Sequence, residues 1–138
     1  SQFVFDSRYA YVNEEIRQYA QESFDEFETV DDAVRDIMHR IHADFQYKSA
    51  STTIDTTLEQ LLKQKTGVCQ DFAHLMIACL RSHGIPARYV SGYILTHPAP
   101  GQTRLVGSDA SHAWVSVYFG NGEWVDYDPT NDLLIADE

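Results

Sequence analysis

Basic side chains are scarce in this chain. Its 138 residues include 10 Lys and Arg against 21 Asp and Glu, which gives a formal net charge of -11 at pH 7. Nucleic acids and anionic membrane surfaces are bound mainly through clusters of Lys and Arg, and the sequence contains no such cluster. We therefore expect neither nucleic acid nor a membrane as a partner, and the acidic balance favours solubility.

Cysteine is also rare, with Cys69 and Cys79 as the two examples. Both fall in or beside one predicted helix, where their separation corresponds to roughly 15 Å, too far for a disulfide. Free thiols suit a reducing compartment, so we expect a cytoplasmic protein. The sequence lacks a Cys-x-x-Cys pair and any closely spaced set of His and Cys, so we expect no metal and no cofactor.

Long apolar runs are absent. No segment approaches the roughly 20 residues that cross a bilayer as a helix, and no signal peptide follows Ser1. Hydrophobic residues nevertheless make up 43% of the chain and aromatic residues 12%, enough for a packed core. We therefore expect residues 1–138 to form a single domain.

Capping signals predict three helices before the first cysteine. Asn13 is a candidate N-cap for a helix that runs to about Ser23, and Asp31 is one for a second helix. Thr57 and Gln60 have the spacing of a capping box, which predicts a third helix.

A fourth helix is expected to begin near Cys69. Gly67 ends the short helix before it, and Gly84 with Pro86 ends the fourth one. Its apolar residues have helical spacing, and they are Phe72, Leu75, Met76, Cys79 and Leu80.

The second half of the chain reads as strands. Segments 87–95, 111–119 and 123–128 are rich in Val, Tyr, Ile and Trp, and the glycines around Asn121 predict a hairpin between the last two. Segment 97–107 reads as a loop. Helices followed by strands predict an α+β fold with an antiparallel sheet.

The position of Cys69 suggests a nucleophile. Backbone N–H groups and the positive end of the dipole at a helix N-terminus favour thiolate, so we expect its pKa to fall. The same N–H groups could stabilise an oxyanion after attack on a carbonyl. Cys79 lies in mid-helix on an apolar face, which is typical of a structural cysteine.

His112 and an aspartate on the next strand are the candidate partners of the thiol. A hairpin centred near Asn121 places His112 opposite a residue near position 130, and a bulge would move that partner toward Asp128. Asp126 shares the face of Asp128 but lies nearer the turn. A thiolate, a base and an orienting carboxylate form the general arrangement of nucleophilic catalysis.

Four segments resemble motifs of one family in the same order. They read GVCQDFAHL at 67–75, RSHGIPARYVSGY at 81–93, SHAWV at 111–115 and WVDYDPTN at 124–131. The first, third and fourth resemble the cysteine, histidine and aspartate motifs of the transglutaminase-like superfamily, and the second resembles the segment that follows the cysteine there. The likeness is greatest to bacterial transglutaminase-like cysteine proteases, and it runs from about Thr57 to Asn131.

The resemblance implies a papain-like fold, with N-terminal helices packed on an antiparallel sheet and the nucleophile at a helix N-terminus. It assigns catalytic roles to Cys69, His112 and Asp128, and none to Asp126. Relatives usually carry a further N-terminal β domain and additional strands after the aspartate motif, so we expect residues 1–138 to be the catalytic core of a longer protein. A missing strand would expose a sheet edge through which copies could pair.

The reaction that these residues imply is thiol-dependent acyl transfer on peptide or carboxamide substrates through a Cys69 thioester. Hydrolysis would make the protein a protease or amidase, amine transfer would make it a protein-glutamine transglutaminase, and a non-catalytic binding module that keeps the fold is the third possibility. The backbone N–H of Cys69 and the side chain of Tyr47 are candidates for the oxyanion hole, and Gln70 and Trp114 are candidates for binding a protein or peptide substrate. Asp71 is expected to cap the Cys69 helix or to pair with Arg88.

Overall fold

A computed structural model describes residues 13–50, 52–53, 56–92 and 112–135. The helices and strands follow one another in the order α1 (Glu14–Glu26), α2 (Val30–Asp44), β1 (Gln46–Tyr47), α3 (Leu58–Gln64), β2 (Thr66–Gly67), α4 (Cys69–Arg81), β3 (Ala87–Gly92), β4 (His112–Gly120), β5 (Glu123–Asp128) and β6 (Leu133–Ile135). Within these residues, helices precede the main sheet, as the sequence predicts. None of the helices described is both long and apolar enough to cross a membrane.

The helix starts follow local capping. Asn13 caps α1, since its Oδ1 accepts the N–H of Ile16 at 2.8 Å, although the helix continues past Ser23 to Glu26. The expected capping box of α3 is confirmed. The expectation for α2 is wrong: Thr29 caps this helix because its hydroxyl oxygen accepts the Asp32 N–H at 3.2 Å.

The end of α3 also differs from the prediction. Lys65, rather than Gly67, follows the helix in the left-handed region, with φ 60 and ψ 23. The chain then runs directly into β2, which pairs in parallel with β1 through Gly67 and Tyr47. This short pair leads the backbone straight to the start of α4.

The main sheet is antiparallel, in the order β3-β4-β5-β6. Gly120, Asn121 and Gly122 all have positive φ, at 95, 56 and 78 degrees, which a tight hairpin requires and which glycine and asparagine tolerate best. The register shifts between Tyr118 and Gly120, so the hairpin contains the bulge that sequence analysis considered. β3 is shorter in the described residues than segment 87–95, and residues 93–111 lie outside them.

The core is built around α4, which packs against α1 and α2 on one side and against β3 and β4 on the other. Its buried side chains are Cys69, Phe72, Ala73, Leu75, Met76, Ile77, Ala78, Cys79 and Leu80. Burial of so much apolar surface holds the helix rigidly between its neighbours. The first residue of α4 is thereby presented to one end of the sheet.

Candidate active site

Cys69 is the first residue of α4, directly after the N-cap Val68. The carboxylate of Asp71 accepts the Val68 N–H at 2.9 Å and the Thr52 hydroxyl at 2.6 Å. The expected capping role of Asp71 is therefore present. The alternative pairing with Arg88 is wrong, because the Arg88 guanidinium lies 4.1 Å from the centre of the Trp124 ring.

Gly67 allows the close approach that this turn needs. A Cβ at this position would lie 2.9 Å from Cδ1 of Leu61 and 3.1 Å from Oδ2 of Asp71. Any side chain would therefore press on the core and on the capping carboxylate together. The glycine fixes the position of Cys69 through close packing rather than through a left-handed backbone.

The thiol and backbone of Cys69 are placed for chemistry. The first N–H groups of a helix have no partner within the helix, and the first intrahelical bond here runs from the Phe72 N–H to the Val68 carbonyl oxygen. The Cys69 N–H therefore points out of the helix start, where it could hold an oxyanion. The side chain is 4% exposed, and the thiol donates to Oε1 of Gln70 at 3.3 Å.

His112 and Asp128 meet across the β4–β5 hairpin. His112 is the first residue of β4 and Asp128 the last of β5, and both are fully buried. Nε2 of His112 lies 3.0 Å from Oδ2 of Asp128. Because Val115 pairs with Tyr127, this register makes Asp128 a diagonal neighbour of His112 rather than its direct opposite.

The Asp128 carboxylate has further donors in the turn that follows it. Oδ1 accepts the backbone N–H groups of Thr130 at 3.0 Å and of Asn131 at 3.4 Å. The Asn131 amide donates to Oδ2 at 2.8 Å, the same oxygen that contacts His112. A buried carboxylate needs such donors to remain charged.

Asn131 lies within the aspartate motif at 124–131, but the motif did not identify it as part of the site. The turn itself contained a signal, since an Asp side chain commonly accepts N–H groups two and three residues further on. That pattern makes the backbone contacts of Asp128 predictable. The side-chain amide of Asn131 depends on how the turn is folded.

Asn131→Ala is expected to lower the free energy of unfolding by about 2 kcal/mol, because it removes a hydrogen bond to a buried charged group. Urea unfolding at pH 7 would measure this. Gln18→Ala is a matched control, since it removes a 3.2 Å amide–carboxylate hydrogen bond to Glu14 that is exposed, and we expect it to cost less than about 0.5 kcal/mol. Equal losses in the two variants would contradict the role given to Asn131.

The ionisation of His112 reflects these neighbours. Burial lowers its pKa, but the hydrogen bond to Asp128 and the negative charges of Asp128 and of a Cys69 thiolate outweigh burial and raise the pKa to about 9. Nε2 is hydrogen-bonded to Asp128, so Nδ1 is the ring nitrogen that remains available for proton exchange with the thiol. Nδ1 is buried and makes no hydrogen bond within the described part of the chain, consistent with the thiol hydrogen being directed at Gln70.

Asp126 is engaged elsewhere on the same face of the sheet. Its Oδ2 accepts the indole N–H of Trp114 at 3.1 Å. Trp114 is 8% exposed, and its ring lies 6.2 Å from the His112 ring, centre to centre. Trp114 is thus a wall beside the histidine, and its expected contact with substrate stays a prediction.

Tyr47 is less closely connected to the nucleophile. It lies in β1 opposite Gly67, is 36% exposed, and its hydroxyl makes no hydrogen bond among the residues that the structure describes. Its role in an oxyanion hole stays a prediction that rests only on its being a tyrosine. Gln70, in contrast, contacts the thiol directly.

Two histidines of α2 are exposed and also contact the turn after Asp128. Nδ1 of His42 lies 3.0 Å from the Thr130 carbonyl oxygen, and Nδ1 of His39 lies 2.9 Å from Oδ2 of Asp132. Both residues belong to α2, so this helix supports the back of the site. Among the described residues, no cluster of three or more His, Cys, Asp or Glu could hold a metal ion.

A thiol at the start of a buried helix, packed against an antiparallel sheet that carries a bonded His–Asp pair, defines the papain-like class of folds. A family model for the transglutaminase-like superfamily matches residues 17–129. The chain belongs to this superfamily, as the motifs predict.

Sequence relatives support this assignment. An uncharacterized protein of Mycobacterium tuberculosis is 45% identical over 139 residues, which cover 98% of this chain and 44% of that protein. A protein-glutamine gamma-glutamyltransferase of Pseudomonas aeruginosa is 36% identical over 92 residues, or 64% of this chain and 14% of that protein. The chain therefore spans less than half the length of these relatives.

Solved structures share the fold. A candidate cysteine protease from Cytophaga hutchinsonii superposes with a TM-score of 0.78 and 33% identity, covering 97% of this chain and 44% of the other. The periplasmic domain of TgpA from Pseudomonas aeruginosa gives a TM-score of 0.68 and 25% identity, covering 96% and 48%. The expected α+β, papain-like fold is confirmed.

Proposed function

We propose that this chain is the core of a cysteine enzyme that transfers acyl groups from peptide or carboxamide substrates, with Cys69, His112 and Asp128 as its catalytic residues. The observation that carries the proposal is the fully buried hydrogen bond between His112 and Asp128, with the pKa of the histidine raised to about 9 beside the Cys69 thiol. A buried ionisable pair is costly unless it is satisfied, and perturbed groups of this kind cluster at active sites.

In the first step the Cys69 sulfur attacks the carbonyl carbon, and the carbonyl electron pair moves to oxygen. The Cys69 N–H holds this oxyanion. The C–N bond then breaks, and the leaving amine takes a proton from Nδ1 of His112, while Asp128 keeps the ring oriented through Nε2. The product of this step is a Cys69 thioester.

In the second step water attacks the thioester and gives its proton to the neutral His112 ring. The C–S bond breaks, the carboxylic acid leaves, and the thiolate–imidazolium pair is restored. An amine in place of water would give an amide and make the reaction a transglutamination. We favour hydrolysis, because the similar Cytophaga hutchinsonii structure is described as a candidate cysteine protease over nearly the whole of this chain.

Amine transfer is the second candidate because one relative, from Pseudomonas aeruginosa, is a protein-glutamine gamma-glutamyltransferase. A screen of peptide amides and glutamine peptides would separate the two, with ammonia or amine release followed with and without an added primary amine. Hydrolysis predicts release and free acid in both conditions, whereas transfer predicts an amide product only when amine is present.

Cys69→Ala should abolish turnover of whichever substrate is found, and Cys79→Ala is the matched control. Both changes remove a buried thiol from α4, so both remove similar packing. Comparable loss of activity in both variants would contradict the proposal, as would full activity of Cys69→Ala. The protein substrate, the cytoplasmic location and the pairing of copies through a sheet edge stay predictions.

A further inference from the structure

A cavity of 680 Å³ opens beside the N-terminus of α4. Pockets that enclose small ligands in proteins are typically about 300–1,000 Å³, so the volume suits part of a substrate. Its lining includes the buried Leu58 and Leu61, the half-buried Val68 and the threonines Thr52, Thr56 and Thr57. This cavity lies on the side of α4 that faces β3 and α3.

The hydroxyl groups of three lining threonines are engaged in hydrogen bonds within the protein. The Thr52 hydroxyl donates to Asp71 at 2.6 Å. The hydroxyl oxygens of Thr56 and Thr57 accept backbone N–H groups at 2.9 and 3.1 Å. The apolar contact that the walls offer to a ligand comes from Leu58, Leu61 and Val68.

The opposite wall is aromatic and uncharged at neutral pH. His74 and Tyr89 stack with their ring centres 4.7 Å apart and an angle of 13 degrees between planes. Burial lowers the pKa of His74, with Arg81 acting in the same direction and Asp71 against it, so the imidazole is neutral at pH 7. A flat pair of rings favours packing against another apolar or aromatic group.

Gln70 connects the cavity to the nucleophile. Gln70 lines it and accepts the Cys69 thiol hydrogen at 3.3 Å. Tyr89 is 38% exposed, and its pKa is raised first by burial and then by the negative charges of Cys69 and Asp71.

We propose that this cavity receives an uncharged aliphatic or aromatic side chain of the substrate, on the acyl side of the bond that Cys69 attacks. The inference rests on the proposed function, since it assigns the substrate class of the same site. Acidic side chains are excluded because the Asp71 carboxylate lines the cavity. Lysine is disfavoured because Leu58 and Leu61 would desolvate its ammonium.

Blocked amino-acid chloromethyl ketones carrying Leu, Phe, Gly, Asp or Lys next to the ketone test this directly. In each case the Cys69 thiolate displaces chloride and forms a C–S bond, which intact-mass and peptide analysis would follow with time. We expect the Leu and Phe reagents to react at least about tenfold faster than the Gly and Asp reagents. Iodoacetamide carries no such side chain, so its rate reports the nucleophile alone.

Two variants test whether the cavity causes the faster reaction of the Leu and Phe reagents. Tyr89→Ala removes the outer ring and should reduce the ratio of Leu to Gly rates severalfold, with the iodoacetamide rate little changed. Arg88→Ala is the matched control, because Arg88 is the neighbouring residue of β3 and packs on Trp124 on the other face of the sheet. Thr53→Trp, at an exposed lining position, should narrow the cavity and produce the same loss if Tyr89→Ala folds poorly.

The reagent rates distinguish failure of the cavity assignment from failure of the proposed function. Similar rates for Leu, Gly and Asp reagents, or a fastest rate with Lys, would overturn the cavity assignment while leaving the nucleophile intact. An unchanged preference in both Tyr89→Ala and Thr53→Trp would also overturn it. Failure of iodoacetamide to label Cys69 would instead count against the proposed function itself.

Discussion

Iodoacetamide should alkylate Cys69 at neutral pH and leave Cys79 unmodified in the folded protein. Burial raises the pKa of Cys79 to about 12, although Arg40 opposes the shift, so its thiolate is rare at pH 7.5. Cys79 is also completely buried, and alkylation there requires α4 to open. Cys69 stands at the helix start beside an imidazole whose protonated form stabilises thiolate. We expect at least about a 10³-fold difference in rate.

The measurement is peptide mass spectrometry of the chain labelled for increasing times between pH 6 and pH 8. His112→Gln tests the cause, because it keeps a polar side chain and removes the charge, so labelling of Cys69 should slow severalfold or more. Cys79 supplies an internal control in every sample. Equal and slow labelling of the two thiols would favour a binding module, and it would remove the chemical basis of the proposed mechanism.

The helices and the hairpin were largely predictable because their signals are local. Capping at Asn13 and Thr57 depends on side chains within three residues, and the left-handed turn at Asn121 depends on the residue and its glycine neighbours. Errors arose where two local signals competed. Thr29 outcompeted Asp31 as the cap of α2, and Lys65 took the left-handed position that glycine usually occupies.

The candidate site was predictable in composition but not in contacts. Motif likeness pointed to Cys69, His112 and Asp128, and hairpin geometry alone left the choice between two aspartates open. The register and bulge make Asp128 the diagonal neighbour, whereas Asp126 is occupied by Trp114. The catalytic roles of the three residues stay predictions.

Contacts between distant segments could not be predicted from local capping and turn signals or from motif likeness. The support of the Asp128 turn by His42 joins residues 88 positions apart, and the cavity beside Gln70 exists only where α3, α4 and β3 converge. Hydrophobic periodicity predicts which face of a helix is buried, but it contains no information about which polar groups meet once the elements have packed. Asn131 was missed for a different reason, because its contact with Asp128 spans three residues and depends on how the turn is folded.

Asp128→Asn is expected to move the alkaline limb of the pH profile of kcat/KM by at least about two pH units toward acid. Wild-type His112 has its pKa raised to about 9, so the imidazolium persists through neutral pH and is lost as pH rises through this value. The asparagine keeps the size of the side chain but removes the negative charge. In this variant burial still lowers the pKa of His112, and only Cys69 still raises it.

Because the pKa of His112 is lower in the variant, the absolute loss of kcat/KM should be largest between the two pKa values. At pH 8 the wild-type ring remains protonated, whereas the ring of the variant has lost its proton, so the variant should lose at least about tenfold in kcat/KM. Near pH 6 both rings carry the proton, and the remaining loss reflects orientation of the ring. Asp126→Asn is the matched control, since it alters a carboxylate on the same face that contacts Trp114. An alkaline limb that stays in place in Asp128→Asn, or that moves equally in Asp126→Asn, would mean that the charge of Asp128 does not govern the histidine.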